Sequence, residues 1–525
     1  MGGEAVRCAL IAAAVALPLV LFGPPPGDLP AHLYRTELVR DGVLLWDTYW
    51  YAGHYPLASY SLLYYFPAAL VGNEPLAVGA VIVSAALVAV LVLRRWGMET
   101  RWAARAFAVA ACGPLFTGSY PYAVGVAAAL GALCALQAGR IWLGLGCAAF
   151  TVGFSPLAFL FLCLVLVAAQ VARPRLDRRA VVVGGGLLVL GAIQAAVLEI
   201  FPHDAHYPFF RRVELAVVLG LAALCGALVL RAGRGRILAL VFGLWFLATV
   251  VAYLVASPIG ENVTRLRGVA VPLALLAAAL AEYRPRWLAV TAVAGALAYT
   301  LVPYVSVIPD KLDGRPAEEA FWAPAIAFLH AQTGPGERVE VVPTADHWEA
   351  YWLPKDGIPI ARGWYRQLDI AENPLFYEET LGPAEYQDWL RRLGVRYVLL
   401  PDTEIGRAGE KREADLVSSG RAGLRPVFRG VTGTVYELPE AESILTGPGE
   451  PRLTVLGHDR VEGSVDAPGS YRLAVRFTPY WHVERGDLCV DEAADGMTRL
   501  VVRRPGAFAL GVGLGRSGGC PSPRS

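Results

Sequence analysis

About eleven long apolar runs succeed one another over roughly the first 308 residues, and no other feature limits the fold of this chain so tightly. A run of about 20 apolar residues crosses the hydrocarbon core as a helix, since only helices and closed barrels satisfy their own backbone polar groups there. Barrel strands would read as alternating segments of about 10 residues, and these runs are continuous. The expected fold is therefore a polytopic α-helical membrane protein with a soluble C-terminal tail.

The runs fall at 6–22, 74–93, 103–118, 121–138, 141–154, 156–172, 180–200, 213–230, 237–256, 268–282 and 287–306. Run 6–22 is expected to stay as the first span, because Leu21-Phe22-Gly23 before three prolines is a poor signal-peptide cleavage site. The pair at 141–172 also reads as one broken helix, and 61–72 reads as an interfacial or re-entrant piece. A cytoplasmic N-terminus puts most loop arginines inside, among them Arg94, Arg95, Arg101, Arg105, Arg178 and Arg179. The opposite loops then keep only Arg35, Arg40, Arg211, Arg212, Arg265 and Arg267, the asymmetry that the positive-inside rule requires. An odd number of spans sends the tail out of the cytoplasm, so the expected location is the plasma membrane with an extracytoplasmic C-terminal region.

Composition excludes other classes. A hydrophobic content of 55% with mean hydropathy +0.46 is too apolar for a soluble protein. A net charge of +1 without a dense basic stripe argues against nucleic acid as a partner. Lysine occurs only at Lys311, Lys355 and Lys411, so no apolar run offers one for a proton relay or Schiff base. Six cysteines (Cys8, Cys112, Cys134, Cys147, Cys163 and Cys225) lie in apolar runs and read as small buried hydrophobes. Cys489 and Cys520 sit in the tail, where an oxidising compartment would permit a disulfide that spacing alone does not prove. The tail alternates helix and strand patterns to about residue 440, then turns to short strands separated by Gly, Pro and Asp. The expected organisation is a membrane domain over 1–308, an α/β domain over 309–440 and a small β-sandwich over 441–525.

Three loops assigned to the outer side carry the polar chemistry. In 24–60, Pro30 suits the first turn of a helix that Asp41-Gly42 would end, placing Asp28 at its cap and His32 one turn on. Asp47, Tyr49 and His54 follow in an aromatic-rich stretch. Asp28, Asp47 and His32 are therefore the candidate catalytic residues, and Tyr49 and His54 candidate substrate contacts. As plain structure, Asp28 is an N-cap and the aromatics an interfacial belt, but a belt needs neither two aspartates nor two histidines. The second loop offers His203, Asp204 and His206, whose side chains a divalent cation accepts, though a solvated loop explains them equally well. The third, 257–268, places Glu261, Asn262, Arg265 and Arg267 together against the arginine trend. A planar guanidinium there suits a lipid phosphate ester, or else merely anchors headgroups.

No phosphate loop and no nucleophile elbow occur, so no nucleotide cofactor is expected. Gly144-Leu145-Gly146 falls inside an apolar run, where small residues favour close helix packing. Tail segments 345–349 and 362–369, dense in aromatic and polar groups, are candidates for sugar or acceptor recognition, or for fastening the tail.

The Gly27-Asp28-Leu29-Pro30-Ala31-His32 stretch after the first span resembles the GT-C superfamily of membrane glycosyltransferases. The Asp28-x-x-x-His32 spacing is similar to the run in the oligosaccharyltransferase loop. Pro258-Ile259-Gly260 with Asn262-Val263-Thr264-Arg265-Leu266 resembles actinobacterial-type membrane proteins of GT-C-like architecture. The Trp-Trp-Asp signature of the oligosaccharyltransferase tail is missing, which argues against transfer to asparagine. The resemblance implies a polyprenyl-phosphate sugar donor, a cell-envelope glycan or lipid acceptor, inversion at the anomeric carbon and an acidic role for Asp28, with a divalent cation left open. The rivals are a flippase for lipid-linked saccharide and an envelope scaffold. A flippase would carry polar residues through its spans, whereas Gln137, Gln170 and Gln194 are sparse.

Overall fold

The computed structural model describes residues 2–173, 175–202, 206–209, 212–230, 232–307, 314–378, 381–516, 519 and 520. It divides into two compact units: Met1–Leu29 with Ala58–Leu312, and Pro30–Leu57 with Asp313–Ser525.

The first unit is helical and built to cross a membrane several times. Among the described residues, seven helices are long and apolar enough to span, and three shorter apolar helices accompany them. Gly2–Phe22 packs on Asn73–Trp96, and that helix packs in turn on Tyr120–Gln137. Small residues make these contacts, with Ala12, Ala16, Ala77 and Ala85 fully buried. A Cβ on Gly144 would stand 2.6 Å from the Leu136 side chain, so this glycine serves close packing.

One expectation about a single helix changes. Run 103–118 is two helices, Arg101–Ala110 and Gly113–Thr117, because Pro114 opens the second and donates no backbone hydrogen bond. Segment 141–172 follows its two runs rather than the alternative of one broken helix: Ile141–Phe154 and Pro156–Val171 are divided at an extended Ser155 whose hydroxyl caps the second helix at Ala158 N. Stretch 61–72 holds only the short helix Tyr65–Val71.

The second unit is a mixed α/β layer followed by antiparallel sheets. Strand Arg338–Val341 pairs in parallel with Val395–Pro401, which pairs antiparallel with Gly433–Glu437, and Arg425–Gly430 forms the edge. Two four-stranded antiparallel sheets then use the chain from Leu445 to Val512. Cys489 and Cys520 are joined in a disulfide. The surprise is the stretch Pro30–Leu57, which threads into this unit rather than into the helical one. Fully buried Trp50 donates from Nε1 to Ala350 O at 3.0 Å and lies so close to Gly363 that a Cβ there would approach its ring to 2.6 Å. Ile360 N donates to Tyr49 O, and Arg476 N to Ala52 O.

The α/β core also contains a charge cluster. Arg362, only 3% exposed, binds Glu340 through Nε at 2.8 Å, binds Glu413 through Nη2 and reaches Asp369 at 3.9 Å. Its guanidinium carbon sits 3.8 Å from the centre of the Phe376 ring. Tyr386 donates to Glu413, and Tyr377 and Asn373 donate to Asp369. Removing one partner from such a buried cluster strands the others without compensation. Arg362→Met is therefore expected to destabilise the protein by about 3–5 kcal/mol, measured by chemical unfolding of the purified full chain.

Candidate functional site

In the helical unit, the residues that meet are Asp28, Ser119 and Arg265. Asp28 follows the first long helix, and its backbone N donates to Thr117 O at 3.1 Å. Gly118 ends the helix Gly113–Thr117 with φ +84°, a left-handed conformation that glycine adopts without strain. A Cβ at this position would stand 2.8 Å from Asp28 Cβ and 2.9 Å from Asp28 N. Both facts require glycine at 118. Gly118→Ala is expected to displace Asp28 and remove function while leaving the protein folded, tested by comparing activity with elution profile in detergent.

Ser119, 7% exposed, lies between Asp28 and Arg265. Its Oγ donates to Asp28 Oδ2 at 3.2 Å and accepts from Arg265 Nη1 at 3.0 Å, with Thr117 Oγ1 at 3.1 Å. Arg265 rides on a 3-10 stretch, Gly260–Val269, and its Nε donates to Asn262 Oδ1 at 3.1 Å. A run this long in the tighter helix is uncommon. Gly260 fixes where it starts, since φ is +40° and a Cβ would overlap Tyr207 O at 1.5 Å. The Tyr122 ring centre is 6.0 Å from the Arg265 guanidinium carbon, and Tyr60 and Tyr207 stand within electrostatic range.

The two arginines of this stretch differ. Arg267 Nη1 pairs with Glu214 Oε1 at 2.6 Å, and Tyr299 also donates to that oxygen. Among the described residues, Arg265 has no carboxylate within 4.0 Å, and its Nη2 makes no hydrogen bond. One guanidinium is neutralised and the other keeps an open edge. Glu261 is half-buried at the start of the same stretch. Glu74, in the first turn of Asn73–Trp96, shares with Asp28 an electrostatic influence on Tyr120.

The remaining candidates of the first loop gather in the second unit. Helix Leu29–Arg40 begins directly after Asp28 and carries His32, which is 3% exposed. Asp47 is fully buried and accepts from Tyr34 OH at 2.9 Å, Tyr49 N at 3.1 Å and His458 Nδ1 at 2.9 Å. Burial opposes its ionisation, but the His458 hydrogen bond and the neighbouring imidazoles hold the carboxyl below the usual range. His458 itself is lowered by burial and raised more by Asp47, with a net upward displacement. Backbone pairing also joins Asp47 to His54, whose Nδ1 lies 3.5 Å from Asp47 Oδ2.

Burial lowers the His54 imidazole from 6.5 to about 4, against the pull of Asp47, so it is neutral at neutral pH, whereas His458, bonded to Asp47 at 2.9 Å, is displaced upward. The unfolded chain binds a proton at His54 near pH 6.5 and the folded chain only near 4, so this stability is complete above 6.5 and lost as pH falls through that window. The loss is on the order of 3 kcal/mol. Thermal midpoints of the parent are expected to fall between pH 6.5 and 4 relative to His54→Gln.

His203 and Asp204 lie outside the described residues, and His206 is exposed. Among the described residues no three His, Cys, Asp or Glu side chains gather as a metal set. Sequence reasoning missed Ser119, Glu74 and His458. Ser119 falls in the short gap between runs 103–118 and 121–138, to which no role was given, and the histidine lies 411 residues from the aspartate that it binds.

No protein-family model matches the chain, and no curated protein matches it. Among solved structures it is similar to ArnT from Cupriavidus metallidurans bound to undecaprenyl phosphate, at 12% identity and TM-score 0.40, over 85% of this chain and 98% of that one. The superposition is loose, and the functional reading rests on the residues.

Proposed function

We propose that this multi-pass membrane protein is a glycosyltransferase that moves a sugar from a polyprenyl-monophosphate carrier to a hydroxyl of an extracytoplasmic cell-envelope glycan or lipid. One observation carries the reading: an aspartate and an unneutralised arginine meet through a single hydroxyl where apolar helices end. The carrier's isoprenoid chain would lie among the spans and its phosphate at Arg265. A monophosphate matches one open guanidinium, since Glu214 already occupies Arg267. The loop arginine asymmetry and the Cys489–Cys520 disulfide both favour a cytoplasmic N-terminus and an exported second unit. The GT-C resemblance and the domain limits 1–308, 309–440 and 441–525 belong to the same reading.

The chemistry follows from the two groups. Asp28 accepts the proton as the acceptor O–H breaks and its oxygen bonds to the anomeric carbon, with inversion. The bond from that carbon to the phosphate oxygen breaks, and the lipid phosphate leaves with the electron pair. Charge grows on that oxygen, and Arg265 stabilises it most where water is excluded. Asn262 and the Tyr122 ring hold the guanidinium for this. In the exported unit, Tyr49, His54 and Asp47 support the strap of chain that continues from Asp28.

The test is the envelope glycan and glycolipid profile of a deletion strain complemented with the parent or with Asp28→Ala. The parent is expected to restore a missing glycoform and the variant to leave it missing. An unchanged profile in the deletion strain would falsify the proposal.

A further inference from the structure

We propose that Ser119 is a positioning residue that keeps Asp28 and Arg265 from pairing directly with one another. The inference rests on the function proposed above and deepens it. Ser119 Oγ bonds both partners at once, to Asp28 at 3.2 Å and from Arg265 at 3.0 Å, and at 7% exposure it has little room to leave. Opposite charges separated by one hydroxyl in a partly dry site attract strongly, because screening by water is weak there. A direct bidentate pair would be the default for an arginine beside a carboxylate. Arg267, two residues on in the same stretch, does pair directly with a carboxylate, through a single contact from Nη1 to Glu214 Oε1 at 2.6 Å.

A direct pair would disable the site in two ways. Asp28 would lose the lone pair that accepts a proton, and Arg265 would lose the open edge that receives phosphate. The hydroxyl spacer prevents both. Each contact it supplies saturates one side only, leaving Asp28 Oδ1 and Arg265 Nη2 uninvolved in it. Its own place is fixed from three directions: Gly118 before it presses on Asp28, Thr117 Oγ1 bonds it, and its backbone carbonyl accepts from Ala123 N at the start of Tyr120–Gln137. Among the described residues, Tyr60, Tyr122 and Tyr207 act electrostatically on Arg265, and Tyr120 feels both Asp28 and Glu74.

The experiment measures binding of a short-chain polyprenyl monophosphate to the full-length protein in detergent, for the parent and four variants. Ser119→Ala is expected to weaken binding about tenfold, because Asp28 then competes with the phosphate for the Arg265 fork. Ser119→Thr keeps the hydroxyl and is expected to bind as the parent does. Asp28→Asn removes the competing charge and is expected to retain binding. The double variant Asp28→Asn with Ser119→Ala decides the matter, since a spacer has nothing to separate once the carboxylate is gone. It is expected to bind like Asp28→Asn alone, a coupling that a purely structural serine would not show. A double variant as weak as Ser119→Ala, or a Ser119→Ala that binds like the parent, overturns the inference while leaving the proposed function standing. A parent protein that does not bind the monophosphate overturns both.

Discussion

Replacing Asp28 by asparagine is expected to slow sugar transfer by about 10²–10⁴-fold, the range over which a positioned general base acts. The substitution is nearly isosteric and keeps an oxygen able to accept from Ser119, so it removes the proton acceptor and little else. The loss therefore appears in kcat rather than in donor KM. A change confined to KM would assign Asp28 to binding. The same variant checks folding internally, because the amide still fits against Gly118, where a larger or shifted group would not. Asp47→Asn is the contrasting case. Its carboxylate sits in the second unit among Tyr34, Tyr49 and His458, and its loss costs stability there first.

Arg265→Lys carries the second large effect. Lysine preserves the charge but not the fork, so the contacts to Asn262 and Ser119 and the open Nη2 edge cannot all be reproduced by one ammonium. Transfer is expected to fall by about 10²–10³-fold, the effect of removing one donor that stabilises charge in the transition state. Arg267→Lys, two residues on, is expected to change transfer far less, because that arginine is engaged with Glu214. Steady-state transfer by the two lysine variants side by side measures the difference. Equal losses would mean that the stretch Gly260–Val269 matters as a whole and that Arg265 has no special part.

Much of this was legible in the residues. Long apolar runs announce membrane helices because the bilayer leaves the backbone no other partner, and the helix from Leu29 to Arg40 was written in Pro30 and Asp41-Gly42. Asp28, Arg265 and Asn262 stood out as charged or polar groups at the ends of apolar runs. Local signals reach only neighbours in sequence, which explains the omissions. Nothing near Ser119 reveals that Gly118 turns the chain against Asp28, since the contact depends on a left-handed glycine and a carbonyl in the same turn. The threading of Pro30–Leu57 into the second unit was hidden for the same reason. Its aromatic residues read as an interfacial belt, yet Trp50 and Tyr51 are buried and bonded to partners 300 and 314 residues later. Helices Glu349–Lys355 and Ala408–Ser418 escaped notice because short polar helices carry a weak periodic signal.

The account stands on the claim that Arg265 receives a lipid phosphate. Saturable binding of a short-chain polyprenyl monophosphate to the full-length protein, with Arg265→Ala as its partner measurement, tests this most directly. The parent is expected to bind with a defined stoichiometry, and Arg265→Ala to bind at least about tenfold more weakly. Equal affinity in the two proteins would contradict the claim and remove the phosphate from this site.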